Sequence, residues 1–316
     1  NRPFPWKTLA FGSMLTAMNR CPSLPFSDGP HRMAMGLLAL KPEDWIEIDE
    51  DYVEYLTEKR RLLADRREEV FWVSRPAEEA CVELRDVLIE HLKTRFPVSF
   101  RQRGTELTNL LTEETWNLLV AELPPLELAS RLVQEDFCVL QADSEGRYRL
   151  TAASVCFPTR WILGEKLGRP MLEIHAPVPG YAETLGRPVD RFFSLLKVDK
   201  PVWRLNWSLT DSPNLFQPTR PASVKITLEN AGQNVYLRVE RQTLRRLPVS
   251  GAIAFGIRIY QTPLARIAEH PETAARLAAA IRAMPAETLS YKSLDDSAPA
   301  IIDFLMGAAL SPTGTV

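Results

Sequence analysis

An α+β fold built on one curved antiparallel sheet is the class this 316-residue sequence predicts, and the order of its local patterns is the main reason. Helical periodicity dominates the first third, and a hairpin signal follows it. Strand-like alternation then clusters between positions 202 and 260, and the tail is helical again. Strands that follow one another without long helical crossovers pair antiparallel. The second reason is composition: 45% of the residues are hydrophobic, ample for a core, yet no apolar run reaches the roughly 18 residues that span a bilayer.

Residues 1–42 are rich in proline and methionine and are expected to wrap the main body. From 44 to 67, Trp45, Ile48, Tyr52, Tyr55 and Leu56 recur at helical spacing, and the charged stretch 58–69 reads as the solvated face. A second helix follows Pro76, with Cys81, Leu84, Leu88, His91 and Leu92 on one side and Arg95-Phe96-Pro97 at its end. A third helical section is expected over 112–133, broken by Pro124-Pro125. Asp143-Ser144-Glu145-Gly146, between Phe137-Cys138-Val139-Leu140 and Arg147-Tyr148-Arg149-Leu150, predicts a hairpin. A short helix over 161–167 should stop at Gly168, and another should cover 189–196. Strands are expected at 202–209, 223–228, 235–244 and 252–260, and helices from Pro263 onward, where 274–280 is alanine-rich. The expected division is an N-terminal wrap with helices (1–135), a sheet core (136–262) and a helical tail (263–316), joined in one compact unit.

Formal net charge is −2, so no global field recruits nucleic acid or an anionic membrane. The opening Asn1-Arg2-Pro3-Phe4-Pro5-Trp6-Lys7 has none of the features of a signal peptide, and a cytoplasmic protein is expected. Cys21, Cys81, Cys138 and Cys156 form no Cys-x-x-Cys pair and no iron–sulfur run. The sequence contains no Walker loop, no Gly-x-Gly-x-x-Gly fingerprint and no Gly-x-Ser-x-Gly elbow. Redox chemistry in this chain would therefore draw its electrons from another subunit.

Of four histidines, His175 stands out, because Pro177 and Pro179 remove backbone freedom just after it. A stiff apolar setting suits an axial metal ligand; the competing reading is a buried histidine bonded to a carbonyl. Cys156 is the rival ligand. His91 lies on an apolar stripe, which suits core packing as well as ligation; His31 and His270 read as surface or structural. In the strand after 235, alternation puts Tyr236, Arg238, Glu240 and Gln242 on one face and Leu237, Val239, Arg241 and Thr243 on the other. Arg241 thus interrupts an apolar face, where it needs a buried anion or must snorkel to the sheet edge. Arg204 and Asn206 share a face of their own strand, opposite Trp203, Leu205 and Trp207, three side chains that suit core or a substrate cage.

Four stretches together resemble the heme-dependent oxidative N-demethylase alpha subunit family. They are Pro30-His31-Arg32-Met33-Ala34-Met35-Gly36-Leu37 with Asp44-Trp45-Ile46, then 166–179 through Ile174-His175-Ala176-Pro177-Val178-Pro179, then Arg204-Leu205-Asn206-Trp207, then 239–248. The likeness runs from about residue 26 to about residue 265. It implies a PAS-like heme domain acting as an enzyme, in an NADPH-dependent oxidation of dimethylamine by dioxygen to formaldehyde and methylamine. It also implies FMN, a 2Fe–2S centre and tetrahydrofolate, carried by reductase and tetrahydrofolate-binding partner subunits. On that resemblance His175 becomes the proximal iron ligand and Glu240 the acceptor for the amine. Arg241, with Arg204 or Asn206, would polarise bound oxygen, and Lys166 or Arg245 would pair a heme propionate. A PAS-like heme sensor without turnover, or a heme-free scaffold subunit, are the alternative readings.

Overall fold

The computed structural model describes Phe26 and residues 34–120, 122–220 and 224–310. Cys21, His31 and most of the expected N-terminal wrap lie outside these residues. The fold is mixed α+β. Seven antiparallel strands run in the order β1-β8-β9-β10-β6-β7-β2, with a separate three-stranded meander β3-β4-β5. The strands are β1 Leu38–Ala39, β2 Phe71–Val73, β3 Phe100–Arg103, β4 Glu106–Asn109, β5 Glu114–Asn117, β6 Asp136–Ala142, β7 Tyr148–Ser154, β8 Val202–Thr210, β9 Tyr236–Arg246 and β10 Ile253–Pro263. Five of them, β8-β9-β10-β6-β7, form the broad floor, with short helical segments set between β7 and β8, as the PAS-like expectation requires. The edge strands β1 and β2 come from the first 73 residues, so the expected N-terminal unit contributes to the same sheet.

The predicted hairpin forms around Gly146, whose φ of 77° is a left-handed value that glycine adopts at little cost. Asp143 closes the turn by accepting from the Glu145 and Arg147 amides at 2.9 Å and from the Arg149 guanidinium at 2.7 Å. The helix Tyr52–Asp65 begins later than periodicity indicated, because residues 45–51 run across the sheet and supply carbonyls and carboxylates to it. The helix Glu78–Arg95 buries Cys81, Leu84, Leu88 and Leu92 as expected.

Three expectations fail. The section 112–133 is helical only over Pro125–Leu132; its first part is strand β5 and a turn, and Glu113 there takes φ 61°. Segment 161–167 holds only one 3-10 turn, Leu163–Glu165. Residues 224–228 form no strand: Ile226 is buried, but Val224 and Leu228 point to solvent, so there is no apolar face for a sheet to cover.

Each face of the floor is packed differently. One face carries Trp203, Leu237, Val239, Ala254 and Tyr260. The N-terminal helices cover it at one end, and the helices Pro271–Arg282 and Ala298–Leu310 cover it at the other. The opposite face carries Cys138, Leu140, Leu244 and Phe255 and meets Leu163, Met171 and Phe193 of the segment between β7 and β8. At roughly 1.5–3 kcal/mol per buried large aliphatic side chain, these layers supply the main stabilisation. Among the described residues the register shifts between Val139 and Leu140 in the β6–β7 pair, while β8, β9 and β10 stay in step.

Candidate functional site

Unbroken pairing of β8 with β9 sets Arg204 against Gln242 and Asn206 against Glu240. These four side chains share the face that looks toward the 157–196 segment. Glu240 is held firmly. One carboxylate oxygen accepts from Thr159 Oγ1 at 2.8 Å, and the other accepts from Asn206 Nδ2 at 3.2 Å and Gln242 Nε2 at 2.8 Å. A carboxylate offers about four acceptor positions, so one remains. Thr159 is in turn fixed by Arg238, whose Nε donates to its hydroxyl at 2.9 Å. Arg238 is fully buried and also donates to the carbonyls of Phe157 and Leu215, both at 2.9 Å. Burial pulls its pKa down to about 10, against the opposing pull of Glu240.

His175 follows the single helical turn Met171–Ile174, started by Pro170, and its Nδ1 lies 2.9 Å from the Met171 carbonyl. A carbonyl only accepts, so Nδ1 carries the hydrogen and Nε2 keeps its lone pair. Tyr181 stacks on the imidazole with ring centroids 4.5 Å apart and planes 12° from parallel. This tyrosine leads into a π-helical turn, Ala182–Gly186, that carries the chain back over the sheet. Burial depresses the His175 pKa, and the positive charges of Arg204 and Lys166 depress it further, opposing the Met171 hydrogen bond. The ring is thereby kept neutral, the state that binds metal. Lys166 donates to the Ile174 carbonyl at 3.3 Å. The charges of Glu240 and Tyr181 act on Arg204, and its buried Nε has no hydrogen-bond partner among the described residues.

Thus the structure gathers His175, Lys166, Arg204, Asn206 and Glu240 on one side of the sheet. Arg241 and Arg245 lie on the other side. Arg241 is 2% exposed and does not snorkel. It donates to the carbonyls of Trp45 and Asp44 and pairs with Glu47 at 3.5 Å, so a carboxylate answers the buried charge. Arg245 lies over the Trp45 ring, 4.7 Å from its centroid. His91 packs edge-on to Trp45 and Phe96, its pKa lowered to about 4 by burial and by Arg245 and Arg95. Cys156 is buried with Tyr55, Leu62, Val70 and Phe157, and burial pushes its thiol up and keeps it neutral. Thr159 and Tyr181 escape a reading of the sequence, since loop and π-turn positions carry no periodicity.

A single neutral imidazole, an apolar wall from β6, β9 and β10, and a half-buried guanidinium whose buried Nε has no partner among the described residues fit a flat, mostly apolar, anionic metal cofactor. Among the described residues, no group of three or more His, Cys, Asp or Glu side chains is gathered as a metal cage. No described helix is long and apolar enough to cross a membrane. A family model described as haem-dependent oxidative N-demethylase, alpha subunit-like, matches residues 36–302. The chain belongs to that family, whose name also makes it one subunit of a multi-subunit assembly.

Proposed function

We propose that this member of the heme-dependent N-demethylase alpha subunit family removes a methyl group from dimethylamine, using dioxygen and electrons delivered by a reductase partner, and yields formaldehyde and methylamine. The observation that carries the reading is the pairing of a neutral imidazole, its Nε2 free, with a rigid carboxylate that retains one open acceptor position. When bound, heme supplies the redox and dioxygen chemistry. His175 would hold its iron, with the Met171 carbonyl fixing the tautomer and Tyr181 the ring plane. Lys166, which donates to the Ile174 carbonyl beside His175, and Arg204, whose charge acts on the imidazole, would answer the cofactor's carboxylates.

Glu240 accepts the N–H of the amine and so orients its methyl groups. Asn206, Gln242 and Thr159 hold that carboxylate still, which lowers the ordering cost of binding. Arg204 supplies a charge-assisted donor to negative charge that develops beside the amine. Arg241 and Arg245, across the sheet, take no part: Arg241 clamps the 44–47 segment. The family's FMN, 2Fe–2S centre, NADPH site and tetrahydrofolate are assigned to partner subunits, in keeping with a sequence that has no dinucleotide fingerprint.

The test is direct. Heme-loaded protein should show a Soret band that shifts on adding dimethylamine, and should form amine-dependent formaldehyde with dioxygen and a reductant. His175→Ala should lose most of the heme while Cys156→Ala keeps it. A fully loaded, reducible protein that forms no formaldehyde defeats the enzyme reading and favours a sensor.

A further inference from the structure

The C-terminal tail reaches the same site. Lys292 follows the helix Ala286–Tyr291, and its Nζ donates to the Trp207 carbonyl at 2.9 Å while lying 5.5 Å from the centroid of the Trp207 ring. Its backbone is clasped as well: Arg160 Nη1 donates to the Lys292 carbonyl at 3.0 Å and the same guanidinium pairs with Asp211 at 3.2 Å. Arg160 and Ser293, on either side of that clasp, both take left-handed φ values, 54° and 55°. Neither is glycine, so each conformation costs energy that the surrounding contacts must offset. An ammonium group is therefore fixed in place beside the sheet rather than left to wander in solvent.

Two neighbours bring Lys292 to Glu240 of β9: the Trp207 carbonyl that it meets follows Asn206, a donor to Glu240, and the Arg160 that clasps its own carbonyl follows Thr159, another donor. The charges acting on Lys292 are Glu240, Arg204 from β8 and Arg160, the last already neutralised by Asp211. Tyr291, on its own element, also feels Glu240. The Glu240 carboxylate thus lies in the field of Arg204 and of the anchored Lys292 before any substrate arrives, and Arg238 adds a third positive charge from its own strand. A further positive charge placed at the open acceptor position would be repelled by more centres than attract it.

We infer that Lys292 is a specificity-determining residue of this site, a built-in ammonium that supplies Glu240 with its cation, so that the amine substrate is taken as the uncharged free base through its N–H. The inference rests on the proposed function and adds the protonation state that is recognised. Burial weakens the Lys292 charge while Glu240 sustains it, which fits a lysine whose ammonium is kept for its carboxylate partner.

The experiment is a titration of the heme-loaded chain with dimethylamine, read by the Soret shift, at pH values from 6 to 9. A secondary ammonium ionises in the range of the lysine side chain, so its free-base fraction rises about tenfold per pH unit across this window. In the wild type the apparent Kd should fall by about the same factor per unit. Lys292→Met should flatten that slope and tighten binding at pH 6 by about tenfold or more, whereas Lys292→Arg should keep the wild-type slope. A lysine that served only to hold the tail would shift Kd equally at every pH. That result, or a wild-type Kd independent of pH, overturns the inference while leaving the proposed function intact. A loaded heme that gives no shift with dimethylamine at any pH overturns both.

Discussion

Replacing Glu135 with glutamine isolates a buried proton that the fold holds just ahead of β6. The Glu135 carboxyl accepts from the Glu47 amide at 3.1 Å through Oε1, and its buried Oε2 has no partner among the described residues. Arg258 and Arg241 favour ionisation, but burial outweighs them and raises the pKa from 4.5 to about 7. The folded protein therefore retains this proton at pH values where the unfolded chain releases it. Its contribution is fully present below about pH 4.5 and is lost as pH rises through about 7. At roughly 1.4 kcal/mol per pKa unit, forcing ionisation costs about 3 kcal/mol. Glutamine reproduces the neutral form, so Glu135→Gln should match the wild type near pH 4.5 and exceed it by about 3 kcal/mol at pH 8. Urea unfolding of both proteins across that range measures the difference directly. Parallel curves would refute the argument. A variant that is weaker at pH 8 would show instead that Glu135 serves as the ionised counter-charge of Arg258 and Arg241.

Three further changes probe the packing that holds the site. At Gly256 in β10, an added Cβ would stand 2.7 Å from Thr243 Oγ1; Gly256→Ala should cost about 1–3 kcal/mol by thermal unfolding, and much less in a Thr243→Ala background. Equal costs in both backgrounds would place the strain elsewhere. Arg238→Met strands the Phe157 and Leu215 carbonyls and releases Thr159 from its donor, so a loss of about 3 kcal/mol or more in urea unfolding is expected; a loss under about 1 kcal/mol would mean that the 157–217 loops hold themselves. Tyr181→Leu removes the ring stacked on His175; heme transfer to a scavenger protein should then accelerate about two- to tenfold, the scale of one aromatic pair, and an unchanged rate would show that the Met171 hydrogen bond alone sets the imidazole.

Alternation placed Arg204 with Asn206 on β8 and Glu240 with Gln242 on β9, but it took the unbroken β8–β9 register of the structure to set the two pairs on one face and Arg241, grouped with them in the sequence reading, on the other. His175 stood out for a different reason, since proline-bounded segments declare their stiffness locally, and the structure shows its ring bonded to the Met171 carbonyl. What the sequence concealed was contact across distance. The partners of Arg241 come from residues 44–47, nearly two hundred positions earlier, and nothing in the strand pattern points to them. The β3-β4-β5 meander was hidden because its strands are four residues each and largely polar, too short for period-two alternation to outweigh a helical reading. Segment 224–228 misled for the opposite reason: Val224, Ile226 and Leu228 alternate correctly, yet only Ile226 is covered while Val224 and Leu228 face solvent.

The two arginines nearest each other in sequence to the site carboxylate, Arg238 and Arg241, show how one strand separates structural charge from chemical charge. Their side chains leave β9 on opposite faces, and each spends its terminal nitrogens on backbone carbonyls: Phe157, Leu215 and Asn214 for Arg238, Asp44 and Trp45 for Arg241. Guanidinium groups used in this way pin loops and cannot turn toward a ligand without leaving buried acceptors unpaired. Arg204 differs: among the described residues no carbonyl claims it and its buried Nε has no partner, and its electrostatic neighbours are the site residues Glu240 and Tyr181. Of the three, it is therefore the one whose replacement by lysine should alter ligand binding more than stability, because a lysine keeps the charge but loses the planar fork. Comparing Arg204→Lys with wild type in heme affinity and in urea unfolding tests this. A large loss of stability with unchanged heme affinity would move Arg204 into the structural class of its neighbours.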